Sequence, residues 1–118
     1  MRNLLSVWDQ PRAFDLIRQQ PKSHDVGVVD RELMVAGVRW AMVEYAGRSQ
    51  RKNWCATPHV GYVVSGSVQY DFEDGREPLL VKSGTAFGLP PAPRHRGRNP
   101  AADPARIFLI DALPGRSP

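Results

Sequence analysis

The sequence predicts an all-β domain, an antiparallel sandwich or jelly-roll barrel, and three observations carry that prediction. Short apolar or alternating runs recur at close spacing: VRWAMVEY, VGYVV, VQYDFE, PLLVK, TAFGL and RIFLIDAL. Turn formers separate them, with Ser65-Gly66, Asp74-Gly75 and Ser83-Gly84 between successive runs. An Asp-Gly pair supplies the positive φ angles that tight hairpin turns need. No run shows the apolar period of a long helix. Several short strands in a chain of 118 residues fit a sandwich or barrel better than an α/β fold.

Taken in order, residues 1–25 form a polar N-terminal arm, and residues 26–118 form a single barrel domain. Between Pro11 and Pro21, RAFDLIRQQ reads either as about two helical turns, with Phe14, Leu16 and Ile17 on one side, or as an extended arm. The valine-rich stretch from Val26 to Tyr45 has the texture of strands, punctuated by Gly27 and Gly37. Within VRWAMVEY, Val38, Trp40, Met42 and Glu44 share one face, and Arg39, Ala41, Val43 and Tyr45 share the other. Both faces are partly apolar, as in a strand of a two-layer barrel. Glu44 keeps company with Trp40 and Met42, so it is the carboxylate expected to face inward. Asp71 and Glu73 oppose Val68, Tyr70 and Phe72 and are expected in solvent.

Composition narrows the function classes. A chain of this length can bury a core without staples. Cys55 is its one cysteine, which excludes an internal disulfide and suits a reducing, cytoplasmic setting. No signal-like or membrane-spanning apolar run is present, so no membrane partner is expected. The net charge of +4 raises nucleic acid as a partner. The basic residues are scattered, however, and aromatics are not interleaved with them as a stacking platform requires. Nucleic-acid binding is therefore not expected. In an extended segment Arg94, Arg96 and Arg98 share a face, either a solvated one or an anion-attracting rim.

The stretch GTAFGLPPAPRHRGRN holds His95 behind Pro90, Pro91 and Pro93. Prolines cannot sit in a central ladder, so they mark a corner at a sheet edge. A stiff corner starts the next strand in a defined register, and register decides which face His95 occupies. The spacing is also specific. Pro90 follows Gly84 after five residues, Ala92 comes two later, His95 three later and Asn99 four later. This resembles the second signature motif of the cupin superfamily, with Ala92 in place of a glycine. GYVVSG, ending at Gly66, resembles the end of the first motif.

The resemblance implies a cupin jelly roll of two packed sheets, with His95 in the mouth of the barrel. In the family, two histidines and a glutamate of the first motif join the second-motif histidine on a divalent transition metal. Counted back from Gly66, the glutamate position holds His59. The two histidine positions fall on Lys52 and Trp54 at one family spacing, or on Asn53 and Cys55 at the other. The four-ligand set is thus reduced. His59, His95 and Cys55 are the candidate metal ligands, for zinc, iron, nickel or manganese. His59, His95, Trp54, Trp40 and Glu44 are the candidate lining for a small polar or anionic organic ligand.

Three function classes follow: a ligand-binding cup without a full metal centre, a metal-dependent isomerase, dioxygenase or lyase with a reduced site, and a structural or interaction module whose barrel is closed. Cys55 beside His59 also reads as a nucleophile–base pair or as a small buried hydrophobe. The resemblance further implies a homodimer, with the N-terminal arm as exchange material.

Overall fold

The computed structural model describes residues 11–35 and 37–111. These residues form nine strands and no helix: β1 (Lys22–Asp25), β2 (Val28–Val35), β3 (Val38–Tyr45), β4 (His59–Ser65), β5 (Ser67–Phe72), β6 (Leu79–Lys82), β7 (Ala86–Leu89), β8 (His95–Arg98) and β9 (Ala105–Asp111). All the pairings are antiparallel. One sheet has the order β1-β2-β3-β9-β4-β7 and the other β6-β5-β8. The expected jelly roll of two packed sheets is what the chain forms.

The core lies between the sheets and is built on alternation. On β9, Ala105, Ile107 and Leu109 point inward, on β4 Val63, and on β5 Val68 and Tyr70. Ile107, Val63 and Val68 are completely buried. Each such side chain contributes about 1.5–3 kcal/mol of apolar burial. β9, the last strand among the described residues, sits between β3 and β4, so closing the large sheet requires it to be in place.

Two motif residues have structural roles. Gly66 turns from β4 to β5 at φ 75°, and a Cβ there would lie 2.6 Å from the Pro104 carbonyl oxygen. Asn99 is 2 % exposed and saturates its amide: Nδ2 donates to the carbonyls of Tyr45, Ala46 and Asp103, and Oδ1 accepts from Ala101 N–H. It pins the turn after β3 to the loop before β9. The corner before His95 includes a cis Ala92–Pro93 bond.

β3 is set the opposite way round from the sequence expectation. Ala41, Val43 and Tyr45 face the core, and Trp40, Met42 and Glu44 lie on the outer face. The reason is that the outer face is itself covered. Trp40 packs edge-on against Phe14 and Phe108, with ring centroids 6.2 and 6.0 Å apart. Glu44 bridges Arg31 at 2.8 Å and Arg106 at 2.9 Å.

The N-terminal segment makes one turn rather than a helix, with Asp15 Oδ1 accepting from Arg18 N–H and Leu16 O from Gln19 N–H. Residues 22–25 of the arm join the large sheet as β1. Residues 1–10 of the arm and 112–118 of the barrel domain lie outside the described residues.

Candidate metal and ligand site

Between Gln50 and Cys55 the chain runs beside β8, touching it at Gln50–Arg98 and Cys55–His95. Cys55 and His95 exchange both main-chain hydrogen bonds, at 2.8 and 3.0 Å. Hydrogen-bonded antiparallel partners project their side chains to the same face. The chain then crosses to the large sheet through Pro58, and His59 opens β4. A four-residue step thus carries one donor on each wall of the barrel. Cys55, His59 and His95 each offer an atom within 4.8 Å of the others.

His59 is held from behind. Its Nδ1 lies 2.8 Å from Asp111 Oδ1, in the register where β4 and β9 pair His59 with Asp111. A carboxylate only accepts, so Asp111 places a proton on Nδ1 and leaves Nε2 for the thiol, as a donor when the ring is charged, or for a metal, as a lone pair when the ring is neutral. One residue beyond the Trp40–Ile110 pair of β3 and β9, Arg39 Nη1 donates to the same Asp111 oxygen at 3.3 Å. His59, Asp111 and Arg39 thus form a row across three adjacent strands.

His95 comes from the small sheet and is 3 % exposed. Its ring meets His59 at 5.0 Å and Tyr70 at 5.8 Å, both edge-on. Its Nδ1 is buried with no hydrogen-bond partner among the described residues.

Electrostatics follow from this packing. Hydrogen bonds from His59, then His95, hold the Cys55 thiol down to about 5, against burial. Burial alone would lower His59, but Asp111 and Cys55 outweigh it and raise the imidazole above its ordinary range. Thiol and imidazole therefore stabilise each other's charged forms.

The cluster opens into a cavity of about 300 Å³. Asn53, Thr57 and Tyr70 line it, as do the charged pairs Asp30–Arg51 and Asp111–Arg39. Asn53 and Cys55 therefore face inward, which settles the two spacings left open by the sequence.

Of the expected lining residues, His59 and His95 meet at the cavity with Cys55, and three others do not. Trp40 and Glu44 are on the outer face of the large sheet, as described above. Trp54 alternates with Cys55 away from the cavity and stacks against Arg96, whose guanidinium carbon lies 4.2 Å from the ring centroid. Arg94 and Arg98, sharing that face, pair with Glu73 and Asp71. Arg94 and Arg98 are thus ion-paired, whereas Arg96 also borders the cavity and keeps its Nε buried with no hydrogen-bond partner among the described residues.

Arg39 and Asp111 were not singled out from the sequence. Their signal was alternation: Asp111 ends the inward row Ala105, Ile107, Leu109, and Arg39 begins the inward row Ala41, Val43, Tyr45.

The chain matches no protein-family model and no curated protein sequence. Solved structures do share its fold. The polyketide cyclase RemF from Streptomyces resistomycificus superposes with a TM-score of 0.70 at 13 % identity, over 86 % of this chain and 79 % of that one. KdgF from Halomonas sp. gives 0.66 at 17 %, over 85 % and 94 %. A Bacillus subtilis oxalate decarboxylase described for its Mn(II) centers gives 0.69 at 18 %, over 88 % of this chain and 30 % of that chain. With two antiparallel sheets, a histidine pair in the barrel mouth and these neighbours, the chain has the cupin fold.

Proposed function

We propose that the barrel mouth is a mononuclear metal site of reduced donor set, Cys55, His59 and His95, that serves a small polar or anionic organic ligand. The observation that carries this reading is the convergence of Cys55, His59 and His95, with a buried His95 Nδ1 that meets no hydrogen-bond partner among the described residues. A buried polar atom without a partner costs about 1–3 kcal/mol, and a cation would meet that need. Asp111 behind His59 is the carboxylate–histidine arrangement that orients metal-binding imidazoles. A thiolate with two imidazoles suits zinc or iron better than manganese. With Asn53 at a fourth family position, coordination positions remain for a ligand.

A bound divalent ion would supply a Lewis acid to an oxygen of that ligand. The chain's own residues do the rest. Asp111 fixes the protonation of His59 Nδ1, and His59 and His95 keep Cys55 as thiolate.

The test is the metal content of tag-free protein purified without chelators, with Cys55→Ser, His59→Ala and His95→Ala beside it. The expected result is near one equivalent in the wild type and loss in each variant. In the cobalt-substituted protein, thiolate charge-transfer absorption should vanish in Cys55→Ser. Metal at background in folded wild type would overturn the reading and leave a cup that works by shape and hydrogen bonding.

A further inference from the structure

Lys22, Glu32, Arg39, Asp111 and His59 come from β1, β2, β3, β9 and β4, five strands that are neighbours in that order in the large sheet, and each side chain touches the next. Lys22 Nζ donates to Glu32 Oε2 at 3.3 Å, and Arg39 Nε to Glu32 Oε1 at 2.9 Å. Arg39 Nη1 donates to Asp111 Oδ1 at 3.3 Å, and His59 Nδ1 to the same oxygen at 2.8 Å. Register builds the row. Glu32 pairs with Ala41, which sets Arg39 diagonally across on the same face, and His59 pairs with Asp111. Side-chain exposure falls along it, from 53 % at Lys22 through 21 % at Glu32 and 20 % at Arg39 to 13 % at Asp111 and 10 % at His59. The row of alternating charge thus leads from solvent to the Cys55–His59–His95 cluster, and water screens its inner links least.

Asp111 by itself does not fix His59. The terminal torsion of an aspartate is broad, so a carboxylate gripped only by an imidazole is free to turn with it. Arg39 meets the very oxygen that takes His59 Nδ1. Arg39 is itself held against turning, because Nε and Nη1 belong to one planar group and Glu32 takes Nε. Burial works against the Arg39 charge, but Glu32 and Asp111 outweigh it, so the link stays ionic.

Resting on the site reading above, we infer that Arg39 is a positioning residue for His59: docked on Glu32, it holds the Asp111 carboxylate on His59 Nδ1 and so keeps Nε2 turned toward Cys55 and His95. In this role Arg39 acts through Asp111 and touches none of the three donors.

Two readouts test this: zinc affinity by competitive chelator titration, and the His59 ring proton in histidine-labelled protein by NMR. In wild type, zinc-loaded or metal-stripped, the His59 Nδ1–H should give a downfield, slowly exchanging signal, assigned by its absence in His59→Ala. Arg39→Gln should broaden or abolish that signal and weaken zinc by about tenfold. Arg39→Lys restores the cation without the planar fork, so it should recover part of the loss, and it guards against misfolding. The double variant Arg39→Gln/Asp111→Asn should bind zinc within about twofold of Asp111→Asn alone, because both changes act on one link. A merely structural role would add one loss to the other. Lys22→Gln, at the exposed end of the row, should bind as wild type does.

An unchanged His59 signal in both folded Arg39 variants, additive losses in the double variant, or a loss in Lys22→Gln as large as that in Arg39→Gln overturns the inference. The two readings separate cleanly. Tight zinc binding with a His59 signal indifferent to Arg39 sinks only the arginine. A signal that needs Arg39 in folded protein that takes up no zinc sinks only the metal.

Discussion

The two faces of the large sheet carry nearly the same ionic motif. On the inside, Asp111 is shared by His59 and Arg39. On the outside, Glu44 is shared by Arg31 and Arg106. Both motifs draw on β3 and β9, five residues apart along the ladder. Their surroundings differ: the Asp111 and His59 side chains are 13 % and 10 % exposed, whereas those of Glu44 and Arg106 are 36 % and 40 %. Water screens the outer motif and leaves it little to contribute. The inner one works at low dielectric, beside a thiol and an imidazole nitrogen that has no partner among the described residues, where the same charges set protonation and orientation.

The comparison can be sharpened by titration. In metal-stripped protein, iodoacetamide should alkylate Cys55 with a midpoint near pH 5, not near the 9.0 of an ordinary thiol. The sign is that of a depressed acid: thiolate prevails above about 5 and is lost as pH falls through it. In His59→Ala the midpoint should move up, and an unmoved midpoint would show that the thiol owes nothing to its neighbour. A smaller effect is expected from Asp111→Asn. It frees the His59 ring to turn and should weaken metal binding about 10- to 100-fold in a competitive chelator titration.

Smaller again is the effect of packing. In Gly97→Ala the new Cβ would lie 2.5 Å from the Tyr45 hydroxyl, and chemical denaturation should register about 1–3 kcal/mol of overpacking. The smallest change belongs to the outer motif. Glu44→Gln should cost at most about 1 kcal/mol and leave metal affinity where it was. A loss of metal in Glu44→Gln as large as in Asp111→Asn would erase the distinction between the faces.

Most of the fold was legible because turns and spacing are local. Asp74-Gly75, Ser65-Gly66 and the proline corner fixed where strands begin and end, and the motif placed His59 and His95 together. Cys55 was legible only as one of two spacings, since a step of one residue turns a strand over. The face of β3 was not legible. Trp40 and Met42 look like core until Phe14 and Phe108 are seen covering them, and those partners are distant in sequence. Arg39 was masked for the converse reason. An arginine reads as solvent-facing unless Glu32 and Asp111, on two other strands, are known to receive it.

Gly97 carries a consequence for anyone mapping this protein by saturation mutagenesis. It sits two residues from His95, beneath the Tyr45 hydroxyl and against the Tyr70 ring. It does no chemistry, yet almost every replacement should deplete as strongly as a lost ligand. A selection scored on growth alone would draw a functional hotspot around both. Scoring cellular abundance in parallel would pull them apart: Gly97 variants would disappear from the soluble pool, and His95 variants would persist there as folded, inactive protein.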